Sequence, residues 1–264
     1  MKKYFSDLDK LISLCFYCDI NAESMKYLSK LIKDKIILLH LFYDVNIESM
    51  KYLSEGINKS QTLTHLILKY DINAKSMKYL SKAIKDNQTI IHLSIVSKIS
   101  LESMIYLNKA IKDNHIIEYL NIWNIDVELM KCLSDGIKNN KSITILNIFC
   151  YIDTESIKYL CRGLKINKKI KRLELLDNNI DNLGLKYLSN IIKNNKIIEE
   201  IYLGHRFHED CKKYDDNGVK YILKSLEHNK TLTYMIIKCN NHIYNNYLKK
   251  ILSINEKEKN DNSF

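Results

Sequence analysis

The chain has 264 residues, 46% of them hydrophobic, with 41 Lys and Arg against 31 Asp and Glu and a formal net charge of +10. That much apolar material can bury a large core, which excludes a chain that is disordered throughout. No run approaches the ~18 apolar residues of a membrane span, and the opening MKKYFSDLDKLISLCFYC has Asp7 and Asp9 before a short apolar stretch and no small-residue cleavage site, a poor secretory signal. A cytoplasmic protein with reduced thiols is therefore expected, and the positive balance leaves acidic partners open.

Residues 1–10 read as a cap on a first strand anchored at Leu11. Cys15 and Cys18 make a CxxC at that strand's end, but no second Cys or His pair follows at zinc spacing. The chain then writes SMKYLSK at 24–30 and again at 76–82, with SMKYLSE between them at 49–55. The residue after the Ser of this motif is Met25, Met50, Met77, Met104, Met130, Ile157, Leu185 and Val219. The steps are 25, 27, 27, 26, 27, 28 and 34 residues, which marks a repeat architecture. Three residues on comes Leu28, Leu53, Leu80, Leu107, Leu133, Leu160, Leu188 and Ile222. Four beyond that comes Ile32, Ile57, Ile84, Ile111, Ile137, Leu164, Ile192 and Leu226. Offsets of 3 and 4 put all three columns on one helix face. A mostly small column (Gly56, Ala83, Ala110, Gly136, Gly163) precedes the third, as where neighbouring backbones approach closely.

Each helix starts at an N-cap residue: Asn21, Asn46, Asn73, Ser100, Asp126, Asp153, Asp181 or Asp215. Each of the later helices ends near an Asn, at 87, 114, 140, 167, 195 and 229, read as tolerating the left-handed conformation of a helix end. Between helices the period changes to two. Leu66/Leu68, Leu93/Ile95, Leu120/Ile122, Leu146/Ile148, Leu173/Leu175 and Ile201/Leu203 alternate in and out as short strands do. The long step falls in GHRFHEDCKKYDDN (204–217), a protruding loop. A single domain therefore covers 1–254 with about eight strand–helix units and nine strands, and 255–264 (NEKEKNDNSF) reads as a polar tail.

One copy cannot fold by itself. Its six or so apolar side chains contribute ~1.5–3 kcal/mol each when buried, against ~1–2 kcal/mol of backbone entropy for each ordered residue. Stacking lets each unit bury both flanks on its neighbours, and identical columns keep the units mutually compatible.

The segment IKRLELLDNNIDNLGLKYLSNIIKNN (170–195) fits LxxLxLxxNxL followed by a helix. It resembles a leucine-rich repeat of the ribonuclease-inhibitor type, a likeness that extends over roughly 11–254. The resemblance implies an α/β leucine-rich repeat solenoid, a curved horseshoe with parallel strands on the concave face and helices on the convex face, and a protein-binding role. The chain departs from the family at the Asn after each strand, present only at Asn178 and Asn240. Looser or re-registered turns are therefore expected in the middle repeats.

With the core columns removed, the strands present His40, Phe42, His65, His92, Tyr119, Trp123, Phe149, Arg172, Glu174, Glu200 and Tyr202. Aromatics and Arg are enriched in interface hot spots, so these are the candidate partner-binding residues of a non-enzymatic scaffold, with a protein as partner. The alternative is nucleic-acid or anionic-surface binding along lysine columns on the helices, Lys26 through Lys220 and Lys33 through Lys193. A Tyr column (27, 52, 79, 106, 159, 187, 221) reads as half-buried packing. The chain shows no Gly-rich phosphate loop, HExxH or GxSxG, so no catalytic residue, cofactor or metal is expected. His205, His208 and Cys211 in the long loop, and the neighbouring His65 and His92, have the residue types of metal ligands but are expected to hold none.

Overall fold

The structure, a computed structural model, describes residues 12–149, 152–176, 178–204, 214–237 and 242–261. Strands and helices alternate along the whole of it, and the chain divides into two compact units. The first comprises residues up to Asn124 with Asn140–Ile143, and the second Ile125–Asn139 with the residues from Thr144 onward.

The first unit contains β1 (Ile12–Phe16), α1 (Ala22–Asp34), β2 (Ile36–Leu41), α2 (Ile47–Asn58), β3 (His65–Leu68), α3 (Ala74–Asp86), β4 (His92–Ile95), α4 (Leu101–Asp113) and β5 (Tyr119–Trp123). Its strands are parallel and lie in sequence order. Leu38 pairs with His65, His65 with His92 and His92 with Tyr119. The pairing follows the sequence period, so the middle turns keep register. The re-registration expected from the missing Asn residues does not occur between β2 and β5; among the described pairings a register shift falls between Ile12 and Ser13.

The second unit contains α5 (Val127–Ile137), β6 (Ile145–Phe149), α6 (Thr154–Ile166), β7 (Arg172–Leu176), α7 (Asn182–Asn194), β8 (Glu200–Gly204), α8 (Asp216–Leu226), β9 (Tyr234–Ile236) and α9 (His242–Asp261). Here too the strands are parallel and sequential, β6 through β9. Helix α9 runs through residues 255–261, which the sequence suggested as tail. Asn255 within it is buried and donates to the carbonyls of Asn229 (3.0 Å) and Leu232 (2.8 Å).

All eight N-caps fold as the sequence requires. Asn21, Asn46, Asn73 and Asp126, for example, accept from the backbone N–H three residues on at 2.9 Å. The three apolar columns and the inward strand positions are buried throughout. The small column is needed where expected: a Cβ on Gly56 would meet Ser29 Cα and O at 2.8 Å.

The helix-end Asn residues do something else. Their backbones are extended, with φ between −59° and −83° at Asn87, Asn114, Asn167 and Asn195. The left-handed reading is therefore wrong for them; Asn124, with φ 56°, is the one positive-φ non-glycine residue among the described residues. The side chains bridge repeats instead. Asn114 Nδ2 donates to the carbonyls of Ile84 (2.8 Å) and Asn87 (3.3 Å), and its Oδ1 accepts from the N–H groups of Ile116 and Ile117 at 2.8 Å. Asn87, Asn140, Asn167 and Asn229 repeat the pattern, and Ser60 supplies it with a hydroxyl, donating to Ile32 O at 2.6 Å. The ladder expected after the strands thus runs through the helix ends. Asn178 keeps the other position, donating to Ile148 O and accepting from Ile152 N–H; Asn240 lies outside the described residues.

Candidate interaction faces

Period-two alternation turns one side chain in two away from the core, and in the first unit these are mainly rings. His40 stacks on Phe42 at 3.9 Å, and Tyr17 stacks on Phe42 at 4.2 Å. Lys69 sets its ammonium 5.3 Å from the Phe42 centroid. The parallel register then places His65 against His92 (5.2 Å) and His92 against Tyr119 (5.6 Å). This row is half-buried, and Tyr119 is exposed at its end.

Two of the imidazoles have a polar group beside a ring nitrogen. Thr64 Oγ1 lies 2.8 Å from His65 Nδ1, and Asn121 Nδ2 lies 2.9 Å from His92 Nε2. Burial holds His92 below the ordinary imidazole value, and the neighbouring His65 adds to this. Burial, then the Lys69 ammonium, does the same to His40. Burial thus biases His40 and His92 toward the neutral ring, an apolar face with a polar edge. Among the described residues no group of three His, Cys, Asp or Glu side chains is placed to hold a metal. His205, His208 and Cys211 lie outside them.

The second unit's strand face is charged. Arg172 donates from Nε to Glu174 Oε1 at 2.8 Å, reaches Glu200 at 3.5 Å and lays its guanidinium over the Tyr202 ring at 4.4 Å. Burial alone would lower the Arg172 pKa, but the hydrogen bond to Glu174 and the surrounding negative groups raise it. Burial and the hydrogen bond it donates to Glu200 push the Tyr202 hydroxyl up to about 12. Tyr234, at the β9 position opposite Glu200, packs at a tilt against Tyr202 with ring centroids 5.2 Å apart and is 47% exposed. The sequence analysis missed Tyr234, and missed Tyr17 beside Phe42. Both occupy the alternating outward positions that selected the others.

Two candidates are placed differently from expectation. Phe149 is 4% exposed, so its ring is covered and offers little surface to a partner. Glu174 is 5% exposed, so Arg172 presents the surface of that pair. His40, Phe42, His65, His92, Trp123, Arg172, Glu200 and Tyr202 are half-buried on the strand face.

On the helix face the Tyr column is more than packing. Lys26 sits 6.0 Å from the Tyr52 ring one repeat on, Lys51 5.5 Å from Tyr79, Lys131 5.9 Å from Tyr159 and Lys186 5.6 Å from Tyr221. The same two columns that looked like a solvated ridge and a packed seam interleave across repeats.

Thiol chemistry finds little support. Cys15 and Cys18 are exposed and unbridged, and burial pushes the Cys161 thiol up to about 12. No helix of the described residues is long and apolar enough to cross a membrane.

Alternating strands and helices, in-register parallel pairing and one repeated set of core columns define an α/β leucine-rich repeat solenoid. No family model matches the chain, and no curated protein matches it. Among solved structures it is similar to leiomodin-1 actin-binding site 2, at 19% identity over 53% of this chain and 79% of that one, with a TM-score of 0.48. It is also similar to a protein from Bacteroides fragilis, at 11% identity over 71% of this chain and 60% of that one, with a TM-score of 0.42.

Proposed function

We propose that the protein is a non-enzymatic scaffold of the ribonuclease-inhibitor repeat type that binds a partner protein through its strand face. The observation that carries this is two ring clusters on the first unit's strand face, Tyr17 with Phe42 and His40 at the strand ends and His65 with His92 and Tyr119 in one register line across β3 to β5. They are partly accessible rings held in fixed positions by the sheet. Rings ordered in advance lose little entropy on binding, and aromatic side chains dominate the energetics of protein interfaces. The second unit offers a distinct patch, Arg172 with Glu200, Tyr202 and Tyr234, suited to polar and charged groups.

The test is affinity capture from native lysate, comparing wild type with Phe42→Ala/Tyr119→Ala. Neither ring belongs to the buried core, so the variant should keep its circular dichroism spectrum, and a melting curve checks that it is folded. Loss of a defined set of captured proteins supports the reading. Capture of the same proteins at the same level by the folded variant removes it.

A further inference from the structure

We propose that the helix face of α1–α3 binds single-stranded nucleic acid, with phosphates on its lysines and bases on its tyrosine rings. Two neighbouring grooves carry the assignment. The groove between α1 and α2, about 240 Å³, is lined by Lys26, Lys30, Lys33, Tyr52, Glu55 and Lys59. The next, between α2 and α3, is about 280 Å³ and is lined by Lys51, Glu55, Lys59, Tyr79 and Lys82. Glu55 is the one carboxylate in either lining, so both grooves are strongly positive. Among the described residues, Lys26, Lys30, Lys51, Lys59 and Lys82 make no ion pair, whereas Lys33 and Lys85 do.

The ammonium groups rest on aromatic faces instead: Lys26 on Tyr52, Lys51 on Tyr79 and Lys30 on Tyr27 at 5.8 Å. Such a contact at an exposed site is weak and exchangeable. A phosphate oxygen is a stronger partner for the ammonium. When the lysine moves to it, the ring face is uncovered at the height where a base can stack. Tyr79 is already 39% exposed. A positively charged track with aromatic platforms is the combination that holds single strands without sequence preference. The repeat period supplies it again at the next groove, so one strand meets the same chemistry in succession. A duplex keeps its bases stacked and engages only the lysines. An anionic lipid surface likewise needs the charges and not the ring faces.

The experiment measures fluorescence anisotropy of a labelled oligothymidylate and oligouridylate of about a dozen nucleotides, near the upper end of known single-strand site sizes. Binding should fall roughly 100-fold between about 50 mM and about 200 mM salt if some five phosphates are held. Tyr52→Ala/Tyr79→Ala should weaken binding by roughly 5-fold or more per lost platform with the salt slope unchanged, and Tyr52→Phe/Tyr79→Phe should restore it. Lys30→Gln/Lys59→Gln should flatten the slope. A melting curve confirms that each variant is folded. The proposal is overturned by absence of binding at low salt, by Ala variants that bind like wild type, or by equal affinity for a blunt duplex. Retention on phosphatidylserine vesicles with no measurable single-strand binding also overturns it. None of these residues lies on the strand face, so the outcome is independent of the protein-binding reading.

Discussion

Asn87 joins two repeats through one amide. Its Nδ2 donates to the carbonyl of Ile57 at 2.7 Å, and its Oδ1 accepts from the N–H of Ile90 at 2.7 Å. Ile57 lies at the end of one helix and Ile90 anchors the strand after the next, so the side chain adds a donor to a helix-end carbonyl that Ser60 N–H also reaches and starts the following strand together. The residue is fully buried, where an unpaired polar group costs most.

Asn114 performs the same service for Ile84, Ile116 and Ile117. Asn114→Ala should destabilise by roughly 2–4 kcal/mol, since two carbonyls, the more distant Asn87 one included, and two N–H groups lose a partner at a cost of ~1–3 kcal/mol for a buried group. Urea unfolding gives the value, with the slope as a check on cooperativity. A loss below about 0.5 kcal/mol, the level of an ordinary surface change, would contradict the bridging role.

The period, the N-caps, the core columns and the strand alternation were all legible in the sequence, because each is a local rule repeated eight times. The Asn bridges were visible as a column but misassigned. An Asn at a helix end has two uses, a left-handed backbone or a side-chain cap, and only the three-dimensional position of the preceding repeat's carbonyl decides between them. Phe149 shows the other limit. Alternation puts it outward, yet it is buried, because covering by neighbouring side chains across the sheet is not encoded in period two. The Lys–Tyr interleaving needed the offset between adjacent helices, which no single repeat encodes.

The small-residue column gives a prediction whose sign opposes helix propensity. In an exposed helix, Gly→Ala gains about 1 kcal/mol. At Gly56 the new Cβ would meet Ser29 Cα and carbonyl oxygen at 2.8 Å, and backbone atoms cannot swing aside. Gly56→Ala should therefore lower the melting temperature, as the packed backbones of α1 and α2 separate. A raised melting temperature would show that the close approach is not obligatory.

Stability should also depend on pH near neutrality. His40 and His92 have folded-state values below the ordinary 6.5, for which burial is the main cause. The unfolded chain therefore binds protons first. Their contribution is complete above about pH 7 and is lost as the pH falls through about 6.5. Protonation also removes the acceptor lone pair that faces the Asn121 amide from His92 Nε2. For Glu199 burial works in the opposite sense, but Lys259 and Lys171 hold it below its usual range. Its stabilisation disappears only below about pH 4.5, outside the histidine window. Urea midpoints should drop between about pH 7.5 and about pH 5.5 in wild type and drop less in His40→Gln/His92→Gln. Equal slopes would dissociate the effect from these two rings.

The Arg172–Glu174 pair tests whether the charged patch is built or incidental. Glu174 is nearly fully buried while Arg172 is partly exposed, so the carboxylate depends on the guanidinium more than the reverse. Arg172→Ala should destabilise by about 2–4 kcal/mol, toward the cost of breaking a buried pair. Adding Glu174→Gln should recover part of that loss, because the variant no longer buries a carboxylate stripped of its cation. A double-mutant cycle should return a coupling above about 1 kcal/mol. Additivity within about 0.5 kcal/mol would mean solvent already screens the pair. Arg172 would then be free to leave Glu174 for a partner's carboxylate, and recognition at this patch would rest on Glu200, Tyr202 and Tyr234.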